Sequence, residues 1–222
     1  MSLSVWWTLF AAATVISLTP GAGAVNTMAN SMNYGWRRSF WGITGQQIAL
    51  IIQVVIVAVG VGSVVAAFPV VLEVVRWLGA AYLVFLGVRM MLSRPTPAAT
   101  VEHAELDTSQ IPVVTSSHGE RREGVWAMIR RGILVNLSNP KAIVFFLAFI
   151  PPFIDPTRGA TLRYVIIGTT CVAVDILVMW FGFAALARPL ARFTGSERGQ
   201  RVLNIVFGCC FILVAALLLL TH

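Results

Sequence analysis

Two ionisable residues stand inside apolar sequence: Asp175 in TTCVAVDILVMW and Lys141 in ILVNLSNPKAIVFFLAF. A charge at the centre of a hydrocarbon layer costs about 2.5–3.5 kcal/mol on insertion scales, so such residues face a bundle interior or water and mark a pathway. Asp175 lies roughly 15 residues, about 22 Å of helix, from the ends of its run, too far for a short side chain to reach the surface. It needs a partner, a proton or a cavity, and a carboxyl that takes up and releases a proton suits a coupling residue. The structural alternative is a fixed ion pair with Lys141. The longer lysine stem reaches either an aqueous cavity or the membrane surface.

Uncharged polar residues gather near these charges and near two prolines. Ser17 and Thr19 precede Pro20 and Gly21, with Asn26 just beyond; Asn136, Ser138 and Asn139 precede Pro140. Gln46, Gln47 and Gln53 fall in another apolar run. Gln46 and Gln53 are about two helical turns apart and share a face, where they line the same cavity or bond between helices. No Ser/His/Asp set, H-E-x-x-H helix or phosphate-binding loop is present, so the residues point to neither an enzyme nor an ATPase. Cys171, Cys209 and Cys210 lie in apolar runs and read as small core residues, while His103, His118 and His222 fall in a polar linker and at the tail. Neither set has metal-ligand spacing on a helix, and no metal or cofactor is expected.

The segments that must position these side chains are apolar. The 222 residues are 58% hydrophobic and 11% charged, with a mean hydropathy of +0.83, far from the usual soluble mixture. Runs long enough to cross a bilayer lie near 3–30, 39–65, 69–92, 125–153, 160–187 and 202–220. They do not alternate as barrel strands would, so the expected fold is an all-α integral membrane protein with six transmembrane helices. The net charge of +7 comes from residues flanking these runs, not from one basic domain, which argues against nucleic acid. Arg37, Arg38, Arg89, Arg94, Arg121, Arg122, Arg130, Arg131, Arg188, Arg192, Arg198 and Arg201 fall on one side of a six-span chain, against Arg76, Arg158 and Arg163 on the other. The positive-inside rule places the first set in the cytoplasm and both termini outside, in the periplasm of a bacterium. The first run ends in GAGA but lacks a basic segment before it, so it is expected to stay as an uncleaved helix.

Residues 93–124 are rich in Pro, Ser, Thr and charge, and separate a first half, 1–92, from a second, 125–222. Three spans on each side of a cytoplasmic linker make the halves inverted repeats, a common build for secondary transporters. Each half opens with a span interrupted by proline after hydroxyl or amide residues, at Pro20 and at Pro140. Matched interruptions of helices 1 and 4 point to a substrate site near the midplane; two kinks absorbed by packing are the alternative. Glycines such as Gly42, Gly45, Gly79 and Gly87 suit close helix approach, within one chain or between copies in a homo-oligomer.

The segments LTPGAGAVNTMANSMNYGWRRSF, EVVRWLGAAYLVFLGVRM, VNLSNPKAIVFFLAFIPPFI, VAVDILVM and LNIVFGCCFILVAALL together resemble the LysE/RhtB family of amino-acid exporters, over nearly the whole chain apart from the linker. The family's motif positions match at Thr19, Pro20 and Gly21 and at Asn136, Asn139, Pro140 and Lys141; a common form has a second proline where this chain has Ala22. The resemblance implies an inner-membrane exporter of small amino acids and their lactones, homoserine and homoserine lactone first, threonine, leucine or basic amino acids next, in exchange for protons. Joined with the residue reading, it expects the freed amides of both breaks to meet the substrate carboxylate. Asp175 would hold the substrate ammonium or the proton; Asn26, Asn136 and Asn139 would bond a hydroxyl, with Gln46 among the substrate-binding residues. A membrane scaffold subunit that transports nothing is the reading from another class.

Overall fold

The computed structural model describes residues 3–67, 69–93, 123–150, 160–194 and 196–220. Most of the linker, at 94–122, lies outside them. The described residues are all helical, with no strand: α1 Leu3–Leu18, α2 Ala22–Tyr34, α3 Trp36–Ala67, α4 Pro69–Leu92, α5 Val125–Leu137, α6 Pro140–Phe149, α7 Ala160–Leu177, α8 Ala187–Thr194 and α9 Glu197–Leu220. Between α7 and α8 the chain winds as a π-helix over Val178–Ala184.

Both interrupted runs break at their prolines. α1 ends as the Thr19 amide bonds the Val15 carbonyl at 3.1 Å, doubled by the Thr19 hydroxyl at 2.7 Å. Pro20 has no amide hydrogen to continue the ladder, and α2 leaves at 57° to α1. In the second run α5 closes on Ser138, whose amide bonds the Leu134 carbonyl at 2.9 Å. Pro140 then takes the first position of α6, where its missing donor costs nothing. Between α2 and α3 the chain reverses at Gly35, whose φ of +86° only glycine adopts readily.

Three described helices are long and apolar enough to cross a membrane, Trp36–Gly60, Leu162–Ala184 and Glu197–Ala216, and the bent pair α1–α2 makes a fourth if counted as one span. Of the two other runs that the sequence reads as spans, α4 contributes a shorter apolar stretch, Trp77–Leu92, and α5–α6 carries Arg130, Arg131 and Lys141. Exposed Val59, Leu78, Ile56 and Leu213 are what a lipid-facing surface presents.

Inside, α3 packs along α5, α4 along α9 and α1 against α7. Leu9, Leu50, Leu83, Phe145, Ile167 and Phe211 belong to one buried cluster joining these layers. The α3–α5 contact is backbone on backbone: a Cβ on Gly45 would lie 2.0 Å from the Ile129 carbonyl oxygen, and one on Gly132 2.1 Å from that of Gly42. Gly42 and Gly45 are thus close-approach residues, and Gly132, which composition did not single out, is their counterpart.

Candidate functional site

The α1–α2 break and the start of α6 face each other across a small cavity. Its lining includes Ser17, Gly21, Gly23, Gln46, Asn136, Asn139, Lys141 and Asp175, with Ile16, Leu50, Phe145, Phe146, Cys171 and Met179 as the apolar wall. The volume is about 50 Å³, room for a few waters at most. The site is therefore narrow in this conformation.

Asp175 is nearly buried, so its carboxylate needs donors. Ser17 Oγ donates to Oδ1 at 2.9 Å and Gln47 Nε2 to Oδ2 at 2.6 Å. Lys141 makes no ion pair with it. Its ammonium donates to the Ile16 carbonyl at 3.1 Å and the Thr19 carbonyl at 2.7 Å, backbone oxygens at the broken end of α1. The fixed ion pair that the sequence allowed is replaced by two separate sets of partners, one for each charge. In this conformation the Lys141 stem reaches the broken end of α1.

The two helix starts differ. At α6 the Asn139 side chain accepts from the Lys141 amide at 3.2 Å, a side-chain cap. At α2 the position before the helix is Gly21, which has no side chain to cap with. The first amides of α2 are left without a side-chain acceptor, and Gly21, Gly23 and Ala24 line the cavity. Replacing Asn139 by alanine should lower stability by about 1 kcal/mol through loss of the cap; thermal unfolding in detergent checks this, with Asn139→Asp, an equally good cap, staying near the unaltered value.

A polar ladder ties α2, α3 and α5 beside the cavity. Gln46 Nε2 donates to the Gly23 carbonyl and the Thr27 hydroxyl, both at 3.1 Å. Asn136 Nδ2 donates to the Gln46 carbonyl at 2.9 Å, and Gln53 Nε2 to the Asn136 carbonyl at 3.0 Å. Toward the Arg37–Arg38 end, Arg131 bonds Asn30 Oδ1 and pairs with Glu123 at 3.0 Å, while Arg38 donates to the Glu123 carbonyl at 2.9 Å.

Of the residues singled out in the sequence, Gly21, Gln46, Asn136, Asn139, Lys141 and Asp175 line the cavity. Thr19, Pro20, Asn26 and Pro140 do not. Thr19 contributes its carbonyl to Lys141 and turns its hydroxyl back on α1; Pro20 and Pro140 shape the breaks; Asn26 lies toward Gly42. Gln53 does not share the cavity with Gln46 but holds Asn136. Gln47, read only as extra polarity, is a direct partner of Asp175, and Cys171, read as core, lines the cavity below it. One signal was available for both: Gln47 adjoins Gln46, and Cys171 lies about one turn before Asp175. Among the described residues no group of three His, Cys, Asp or Glu could hold a metal ion.

The described residues are apolar and helical, with a small cavity between two interrupted helices, as suits a protein of the membrane. The chain belongs to the LysE type translocator family, which matches residues 14–222. It is 37% identical over 212 residues to an uncharacterized membrane protein of Vibrio cholerae, covering 96% of this chain and 95% of that one. It is 36% identical over 218 residues to the homoserine/homoserine lactone efflux protein of Salmonella typhi, covering 98% and 97%. A leucine efflux protein of Enterobacter sp. is 26% identical over 98% of this chain and 96% of its own. No solved structure gives a significant match. As a family member the chain is a translocator rather than an enzyme.

Proposed function

We propose that the protein is an inner-membrane secondary exporter of small amino acids and their derivatives, homoserine and homoserine lactone first, driven by exchange for protons. The observation that carries this is the cavity itself, where Asp175, Lys141, two asparagines and Gln46 converge on the α2 start. Homoserine and its lactone differ at the carboxylate but share an α-ammonium and a carbonyl oxygen. Asp175 suits the shared ammonium, and the uncapped amides of α2 suit either a carboxylate or a carbonyl. Asn136 and Asn139, both in the cavity lining, would bond the hydroxyl that homoserine adds. The relatives named for homoserine efflux support this choice.

The architecture that accompanies the proposal has six spans in two inverted halves, 1–92 and 125–222, joined by a cytoplasmic linker at 93–124, with both termini in the periplasm. The matched breaks support it, as does the placement of Arg131, Glu123 and Arg38 at the end where the arginines collect. Rocking of one half against the other would open the cavity first to one side and then to the other. Because the Arg131–Glu123 contact bridges the middle of α5 and the chain just before that helix, it does not by itself lock the halves; the Arg131–Asn30 bond does join them.

Proteoliposomes containing only this protein, loaded with labelled homoserine, homoserine lactone, threonine, leucine or lysine, provide the test. Homoserine and its lactone should leave fastest, with an inward proton gradient accelerating them. The wall of Ile16, Leu50, Phe145, Phe146 and Met179 would also accept an apolar side chain, so leucine is the informative competitor. Leucine flux above homoserine flux would overturn the substrate and leave the exporter standing. Flux of none of them would favour a scaffold that transports nothing.

A further inference from the structure

Lys141 is the chain's one lysine; every other Lys or Arg position is an arginine. It occupies the second position of α6, where a positive charge opposes the field of its own helix, whose N-terminus is already the positive end. The side chain instead crosses to the other break. There its ammonium donates to the Ile16 and Thr19 carbonyls, at the C-terminal and therefore negative end of α1. Gly21 keeps this crossing clear: a Cβ at that position would lie 3.2 Å from Nζ and 3.4 Å from Cε. On the neighbouring residue Ser17 the hydroxyl points to Asp175, so the last turn of α1 is held between a cation and an anion rooted in two other helices.

Freed carbonyls at the C-terminal end of an interrupted membrane helix are the ligands with which secondary transporters bind coupling cations. We propose that the end of α1 is a monovalent-cation seat, and that Lys141 fills it from within the chain, ordering the α1 break against α6 without an alkali-metal ion. Lysine suits the seat because its ammonium is a compact point charge on a flexible stem. Lys141 acts here as a positioning residue: it fixes the two breaks relative to each other, and through them the groups that line the cavity. The inference depends on the exporter reading only for its transport measurement.

Lys141→Ala empties the seat. In proteoliposomes with choline as the bulk cation, homoserine counterflow through this variant should fall roughly a hundredfold, as expected for two lost charge-assisted hydrogen bonds. Methylammonium or sodium on both sides should recover it, while the unaltered protein responds to neither. Counterflow is chosen because it does not rely on a proton gradient, which methylammonium would dissipate. A second measurement needs no substrate: the unfolding temperature of purified Lys141→Ala should rise with methylammonium or sodium but not with choline, and that of the unaltered protein should stay flat. If Lys141→Ala purifies only with methylammonium present, its unfolding on dialysis is the expected response. Lys141→Gln, with a donor of similar reach and no charge, separates charge from packing and should remain impaired in choline. Full counterflow by Lys141→Gln in choline would overturn the seat. So would a well-folded Lys141→Ala whose transport and unfolding temperature both ignore methylammonium and sodium. A thermal response with no homoserine flux even in the unaltered protein would keep the seat and overturn the substrate assignment instead.

Discussion

Asp175→Asn should abolish acceleration of efflux by an inward proton gradient while leaving exchange of substrate for substrate measurable. The asparagine is nearly isosteric, and its carbonyl oxygen can still accept from Ser17 Oγ or Gln47 Nε2, the two donors that hold the carboxylate at 2.9 and 2.6 Å. The variant is therefore expected to fold. It lacks a group that binds and releases a proton, and it offers a neutral oxygen to a substrate ammonium. A hydrogen bond to a charged group is worth about 1.5–3 kcal/mol, so binding should weaken roughly tenfold to a hundredfold. The two losses can be read separately, the first as the ratio of efflux with and without a proton gradient, the second as the substrate concentration for half-maximal counterflow. Full proton-dependent efflux by Asp175→Asn would rule out the coupling role; an unchanged half-maximal concentration would move the ammonium elsewhere.

How far such a site can be read without coordinates depends on which interactions are local. Pro20 and Pro140 act on the backbone next to them, so both breaks were legible, and the run read at 69–92 coincides with α4. Asp175 and Lys141 were legible as groups needing partners, because burial of a charge is a property of its own run. Their partners were not. Gln46 and Gln47 project about 100° apart on α3, and which of them meets Asp175 depends on the rotation of α3, set by contact with α5. Lys141 was equally open to an ion pair, a cavity or the surface until the position of α1 relative to α6 was known. The π-helix over Val178–Ala184, which begins just after Asp175 and whose Trp180 carbonyl accepts both from the Ala185 amide at 3.1 Å and from Trp36 Nε1 at 3.0 Å, has no compositional mark at all. Its wider turn changes which residues face inward, and no 3.6-residue periodicity would register it.

The second large effect is expected where the α3–α5 contact leaves no slack, and there the size of the effect should follow the kind of atom each new Cβ would meet. At Gly45 and Gly132 that atom is a backbone carbonyl oxygen, Ile129 at 2.0 Å and Gly42 at 2.1 Å. Neither can move unless the helices part. At Gly42 it is Asn30 Nδ2, at 2.3 Å, the end of a side chain that can rotate at the cost of its contact with Arg131. An added Cβ at Gly60, farther along α3, would meet nothing within 4 Å outside its own helix backbone. Alanine at Gly45 or Gly132 should therefore destabilise the protein by about 1–3 kcal/mol, as overpacking does, Gly42→Ala by less, and Gly60→Ala hardly at all. Thermal unfolding in detergent gives the ranking. Transport should follow it, because α5 carries Asn136 and Arg131 and leads through Asn139 to Lys141: parting α3 from α5 strains Asn136 Nδ2 on the Gln46 carbonyl and Gln53 on the Asn136 carbonyl together. If Gly60→Ala were as damaging as Gly132→Ala, loss of glycine from α3 would matter in itself, and the backbone contact would not be what sets the rotation of α3 that brings Gln47 to Asp175.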